Sequence, residues 1–161
     1  MKRREVTGLL LAGMTMGLLA PAARADGVKI TVEAWDKGSD VEMPKDLGIG
    51  GTGDRSKATM GFKLSADTVK AGEVNFELIN TSKDTEHEMI VIPMSGDTPP
   101  PYVEAENRID EDAAGAIGEI EETEPGKTGN ATFRLKAGKY LLVCNIPGHY
   151  MAGMWAFLTV E

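Results

Sequence analysis

Cys144-Asn145-Ile146-Pro147-Gly148-His149-Tyr150-Met151-Ala152-Gly153-Met154 places one thiol, one imidazole and two thioethers in a single short stretch. An apolar run from Lys139 to Val143 leads in and another, Trp155 to Val160, leads out, so the stretch reads as a turn between two strands. Cys144 is the only cysteine of the chain, and no intrachain disulfide accounts for it. Soft sulfur donors beside an imidazole favour copper. Only one other histidine exists, His87, at the start of an apolar strand predicted over Met89 to Ile92.

A lone buried cysteine is ordinarily a small hydrophobe, and a lone histidine ordinarily has one satisfied hydrogen bond and no further role. The spacing Cys-x4-His-x4-Met changes that balance, because it puts three donors on one turn whose bend Pro147-Gly148 sets. Cys144 and His149 are therefore the primary candidate ligands. His87 joins them on condition that the fold carries it to the turn. Met154 is the preferred fourth donor, since the turn can curl back just before the last strand. Met151 competes for that place, because alternate residues of an extended segment share a face with His149.

Working outward, the first 25 residues read as a secretory leader. Lys2-Arg3-Arg4 is a basic start, Gly8 to Ala20 an apolar run too short for a membrane span, and Ala23-Arg24-Ala25 a cleavage pattern. Arg3-Arg4 also fits twin-arginine export. Removal takes Lys2, Arg3, Arg4 and Arg24 but only Glu5, so a formal charge of −8 becomes −11. That charge argues against nucleic acid or anionic membrane as partner and for a basic one. A single domain over residues 26–161 is expected, exported or periplasmic, with no stable membrane insertion, and monomeric.

Val28 to Trp35 alternates and reads as a first strand; Met60 to Leu64, Val74 to Ile79, Met89 to Ile92 and Ala131 to Lys136 follow. Residues 36–57 are poor in apolar side chains and are expected to form a long flexible polar loop. Gly48-Ile49-Gly50-Gly51-Thr52-Gly53 within it matches the dinucleotide fingerprint but lacks the preceding strand and following helix, so nucleotide binding is set aside. Residues 95–128 interrupt the β pattern, and within them an acidic excursion around 103–124 holds nine acids over Glu104 to Glu124 against one base, Arg108. Ala113, Ile117 and Ile120 there could form one stripe of a short helix. The excursion reads first as solvated, second as an acidic docking patch. The fold class is all-β, a Greek-key antiparallel β-sandwich carrying this acidic, partly helical excursion.

Cys144-Asn145-Ile146-Pro147-Gly148-His149 followed by Gly153-Met154, with His87 upstream, resembles the cupredoxins, the blue copper proteins. The resemblance implies one type 1 copper in a Greek-key sandwich, with His87, Cys144 and His149 as strong ligands and Met154 as a weak axial one. It implies an electron carrier cycling between Cu(I) and Cu(II), not an enzyme, that meets a redox protein donor or acceptor, such as a cytochrome or an oxidase, near His149. In plastocyanin and azurin the residue after the first histidine is an asparagine that ties the ligand loops together; here it is Glu88, and Asn80 or Asn145 is the available substitute. An apolar patch around an exposed His149 edge is expected. The alternative is a copper-binding or delivery protein of the same compartment. A multicopper or dinuclear enzyme needs more histidines or a second bridging cysteine than this chain has, which leaves a Cys144 nucleophile with a histidine base as the remaining enzymatic reading.

Overall fold

The computed structural model describes residues 27–161; the expected leader, residues 1–25, lies outside the described residues. In chain order the strands are β1 (Val28–Asp36), β2 (Met60–Leu64), β3 (Thr68–Val69), β4 (Gly72–Asn80) and β5 (His87–Met94). A two-strand ribbon follows, β6 (Tyr102–Val103) and β7 (Arg108–Ile109), then a single helical turn α1 (Glu111–Ala114). The chain ends with β8 (Gly118–Thr123), β9 (Thr128–Leu135), β10 (Gly138–Val143) and β11 (Trp155–Val160).

Two sheets face each other, one ordered β2-β1-β4-β9 and the other β3-β11-β10-β5-β8. The chain crosses between the sheets after β2, β3, β4, β8 and β9, giving the expected Greek-key sandwich. It is not wholly antiparallel: β1 runs parallel to β4, and β3 parallel to β11. Those pairs join strands distant in sequence, whose relative direction is set by how the connections cross the ends of the sandwich.

Alternation makes the inner faces. Ile30, Val32 and Ala34 of β1 and Val74, Phe76 and Leu78 of β4 are buried, and the residues between them are half-exposed. They meet Met89, Val91, Leu142, Leu158 and Val160 from the second sheet in one core cluster, which also contains Cys144 and Met154. β5 and β10 break the alternation, because they are buried on both faces. The unbroken apolar run Met89-Ile90-Val91-Ile92 supplies that need. Ile90, Ile92, Leu141 and Val143 face outward into a second cluster with Ile109 and Tyr150.

Residues 102–116 cover that second cluster. The acidic excursion is therefore solvated on its acidic side, as expected, while Ile109, Tyr102, Ala114 and Ala116 pack over apolar surface. Its helix is only the four residues of α1, capped by the Asp110 side chain, which accepts from the Ala113 N–H, and ended by Gly115. The expected stripe fails beyond Ala113: Ile117 is 44% exposed, while Ile120 is buried as part of β8. Gly115 and Gly118 leave the chain free to turn back, and pairing of β8 with β5 yields more than a short glycine-broken helix could.

The loop over 36–57 is also not slack. Leu47 is 2% exposed and its N–H donates to the Met151 carbonyl at 2.9 Å. The Leu47 carbonyl accepts from Trp155 Nε1 at 2.8 Å, and the Ile49 N–H donates to the Tyr150 hydroxyl oxygen at 2.8 Å. Arg55 lies over the Trp155 ring, 3.7 Å from its centroid. The glycine-rich segment thus straps the turn that carries Cys144 and His149, which is its structural use in place of phosphate binding.

Candidate metal centre

Cys144 follows directly on β10, and His87 opens β5; the two strands are antiparallel neighbours. Adjacency of the strands, invisible to local spacing, brings the distant histidine to the thiol. His149 arrives by the turn itself. Its N–H donates to the Ile146 carbonyl at 3.0 Å, Ala152 N–H to Gly148 at 2.9 Å, and Met154 N–H to His149 at 3.0 Å. The loop closes when the Cys144 N–H donates to the Met154 carbonyl at 3.1 Å. Gly148 and Gly153 take φ of 88° and 101°, which only glycine adopts without strain.

The outcome is a buried cluster. One donor atom each from His87, Cys144 and His149 lie within 4.8 Å of one another. Cys144 Sγ and His149 Nδ1 are 3.3 Å apart. The two imidazoles meet edge to face, with centroids 5.2 Å apart. Met154 is fully buried in the same core cluster as Cys144. Met151 belongs to the outer cluster, its Sδ 2.8 Å from where a Cβ on Gly48 would stand. Met151 thus packs on the strap, while Met154 shares the core cluster with Cys144.

Burial sets the charge states. Desolvation pushes the Cys144 thiol up to about 12, against the backbone N–H groups of Glu88 and Ile146, which face the sulfur and pull the other way. Desolvation pulls His149 down to about 4, with His87 adding to the shift and Asp36 opposing it. His87 is lowered by burial as well, against its Asp36 partner. Two neutral imidazoles therefore surround a thiol that ionises only if a cation compensates it, the donor set for a soft metal.

One atom shows that this arrangement suits a metal and not merely a packed core. His87 Nδ1 is buried without a hydrogen-bond partner, while Nε2 is engaged by Asp36 Oδ2 at 2.8 Å. A buried nitrogen lone pair with nothing to accept from is costly unless something fills the space in front of it. Copper fits these residues.

Neither asparagine reproduces the missing crosslink. Asn80 Nδ2 donates to the carbonyls of Thr85 and Thr123, bracing the approach to His87. Asn145 Oδ1 accepts from the Ile109 N–H, and its Nδ2 donates to the Ile109 carbonyl and to Glu111, tying the turn to the excursion. The histidine strand and the thiol are instead joined by the pairing of β5 with β10. Pairing with β8 slips by one residue at that point, between His87 and Met89.

His149 is less open than expected. It is 5% exposed, and what remains lines two depressions, one with Val41, Met43 and Thr85, the other with Ser39, Glu86, Glu124 and Ile146. Residues 38–43 line one depression, and Glu124, at the end of the acidic excursion, lines the other. Asp36 is the residue that sequence reading missed. Its signal was present: it continues the inward-facing set Ile30, Val32, Ala34, and a carboxylate at the next inward position needs a buried partner.

A Greek-key sandwich with one cysteine and two histidines gathered at the end of its most buried strands defines a cupredoxin. The family profile described as copper binding proteins, plastocyanin/azurin family, matches residues 51–161, and the chain belongs to that family. Auracyanin-B of Chloroflexus aurantiacus is 56% identical over 36 residues, a match that covers 22% of this chain and 15% of that protein. Rusticyanin from Thiobacillus ferrooxidans superposes with a TM-score of 0.50 at 22% identity, covering 84% of this chain and 79% of the other. An auracyanin B structure gives 0.50 at 19% identity, covering 86% and 91%. The two structural likenesses bear on the fold, and membership of the family makes copper the cofactor.

Proposed function

We propose that residues 26–161 form one exported domain that carries single electrons at one type 1 copper, held by His87 Nδ1, Cys144 Sγ and His149 Nδ1 with Met154 as the weak fourth donor. The observation that carries this is the unpartnered His87 Nδ1 in a buried cluster with a thiol and a second neutral imidazole. When bound, copper supplies a one-electron couple between Cu(I) and Cu(II). The chain supplies the rest. Cys144 gives up its proton, and the N–H groups of Glu88 and Ile146 steady the thiolate. Asp36 and the turn 145–154 hold the two imidazoles, and the strap keeps the turn from opening. Donors fixed on β5 and β10 cannot rearrange much between oxidation states, which keeps the cost of each transfer small.

Electrons would cross at His149, the ligand that reaches the surface depressions. Val41 and Met43 beside it are 38% and 36% exposed and offer an apolar bed, while Asp84, Glu86 and Glu124 line the neighbouring depression. That pattern suits a redox protein with a basic rim, and the encounter should weaken as salt rises.

The test is addition of Cu(II) to the full chain. One equivalent should produce an intense visible thiolate-to-copper band and make Cys144 unreactive to thiol reagents. A thiol that stays freely reactive with copper present overturns the reading. Copper retained through repeated reduction and oxidation, with an apo-acceptor present, marks a carrier; loss to the acceptor marks a delivery protein.

A further inference from the structure

We propose that Asp36 is a positioning residue of the metal centre, whose carboxylate fixes the His87 ring with Nδ1 turned inward and whose negative charge favours the oxidised state of bound copper. The inference rests on the copper reading above and deepens it. Asp36 ends β1 in one sheet, and His87 opens β5 in the other, so their contact closes the site end of the sandwich. Oδ2 and Nε2 are 2.8 Å apart, and the two side chains are 3% and 0% exposed. The carboxylate is itself immobilised. Oδ1 accepts from the Gly38 N–H at 2.7 Å, and Ser82, whose Oγ accepts from the Asp84 and Thr85 N–H groups, helps hold the carboxyl below its ordinary range.

A carboxylate is an expensive way to hold an imidazole. A backbone carbonyl or an asparagine would accept the same Nε2–H without taking a charge out of water. Among the described residues no lysine or arginine pairs with Asp36 to offset that cost. The compensating cation must then lie on the far side of the His87 ring, where Nδ1 is unpartnered. Charge counting shows which oxidation state this favours. The Asp36 carboxylate and the Cys144 thiolate together carry two negative charges, so Cu(II) leaves the pocket neutral. One added electron leaves Cu(I) and a net charge of one negative. Burial disfavours the charged form, so Asp36 should hold the potential below the value an uncharged acceptor would give. Its hydrogen bond also selects the Nε2–H tautomer, the role that outer carboxylates have for metal-bound histidines.

Two variants of the full chain separate charge from hydrogen bonding. Asp36→Asn keeps an acceptor for Nε2–H without the charge; Asp36→Leu removes both. In the copper-loaded protein each should shift the one-electron equilibrium at least tenfold toward the reduced state, a rise of about 59 mV for a one-electron couple. In metal-free protein, nitrogen NMR of the His87 ring should show a single Nε2–H tautomer in wild type and in Asp36→Asn, and a mixture in Asp36→Leu. An unchanged potential in folded, copper-bound Asp36→Asn overturns the electrostatic role, even if Asp36→Leu fails to fold. A mixed tautomer in metal-free wild type overturns the positioning role. Should wild type bind no copper, the copper reading fails on its own, and the tautomer measurement still decides what Asp36 does for the ring.

Discussion

Leu47→Ala tests whether the strap over the ligand turn belongs to the cooperative fold. Leu47 is 2% exposed, and its Cβ and Cδ1 lie 3.5 and 3.4 Å from where a Cβ on Gly153 would sit, so it packs directly on the residue before Met154. Truncating a buried leucine costs about 2–5 kcal/mol, and the lower half applies where the surroundings can collapse. A surface strap can partly close over the gap, which gives about 3 kcal/mol. Unfolding entropy of about 2.1 cal/mol/K per residue over the 135 described residues amounts to roughly 0.28 kcal/mol/K. The midpoint should therefore fall by about 10 °C in a thermal melt of the metal-free protein followed by circular dichroism. Ile117→Ala, at a 44% exposed position, is the matched control and should move it by no more than about 2 °C. If Leu47→Ala melts with the control, residues 44–57 are a loose appendage and the strap argument is wrong.

Cys144→Ser should fold yet show no visible thiolate-to-copper band at any copper concentration, as read by absorbance. Met154→Leu should raise the reduction potential, on the order of 59 mV for a tenfold preference, because Cu(I) tolerates the loss of a ligand better than Cu(II). Met151→Leu should leave it within error, and a reversal of the two would reassign the axial donor. Glu88→Gln bears on pH. Burial, with Glu122 and Glu111 nearby, raises the Glu88 carboxyl to about 7, so the folded state holds its proton between the ordinary carboxylate range and about 7 while the unfolded state does not. Stability of metal-free wild type should fall as pH rises through that window, and urea melts of Glu88→Gln should not show that loss. His149, lowered to about 4, acts in the opposite sense and should cost both proteins stability as pH drops from 6.5 toward 4.

The ligand turn and most strands were legible because their signals are local. Cys144, His149 and Met154 lie within one turn, and β1 and β4 alternate with period 2. What the sequence hid depends on partners far along the chain. Leu47 stands in a glycine-rich stretch without periodicity, and its burial comes from Met151 and Trp155, about a hundred residues away. Ile120 fits a helical stripe as well as a strand, and only the open edge of β5 decides between them. The parallel pairing of β1 with β4 follows from crossings at the ends of the sandwich, which no residue pattern encodes. Asp36 was overlooked because an acid closing a strand is ordinarily solvated, and its burial requires His87 from the opposite sheet.

Strands β5 and β10, packed on both faces, have a consequence for time scales. His87 opens one and Cys144 follows the other, so two of the proposed metal ligands are mounted on the part of the molecule that water reaches least. Amide protons of Ile90, Val91, Leu141 and Leu142 should exchange only when the whole chain opens. A partner that presses on residues 38–43 would therefore meet a rim of exposed side chains around a rigid socket.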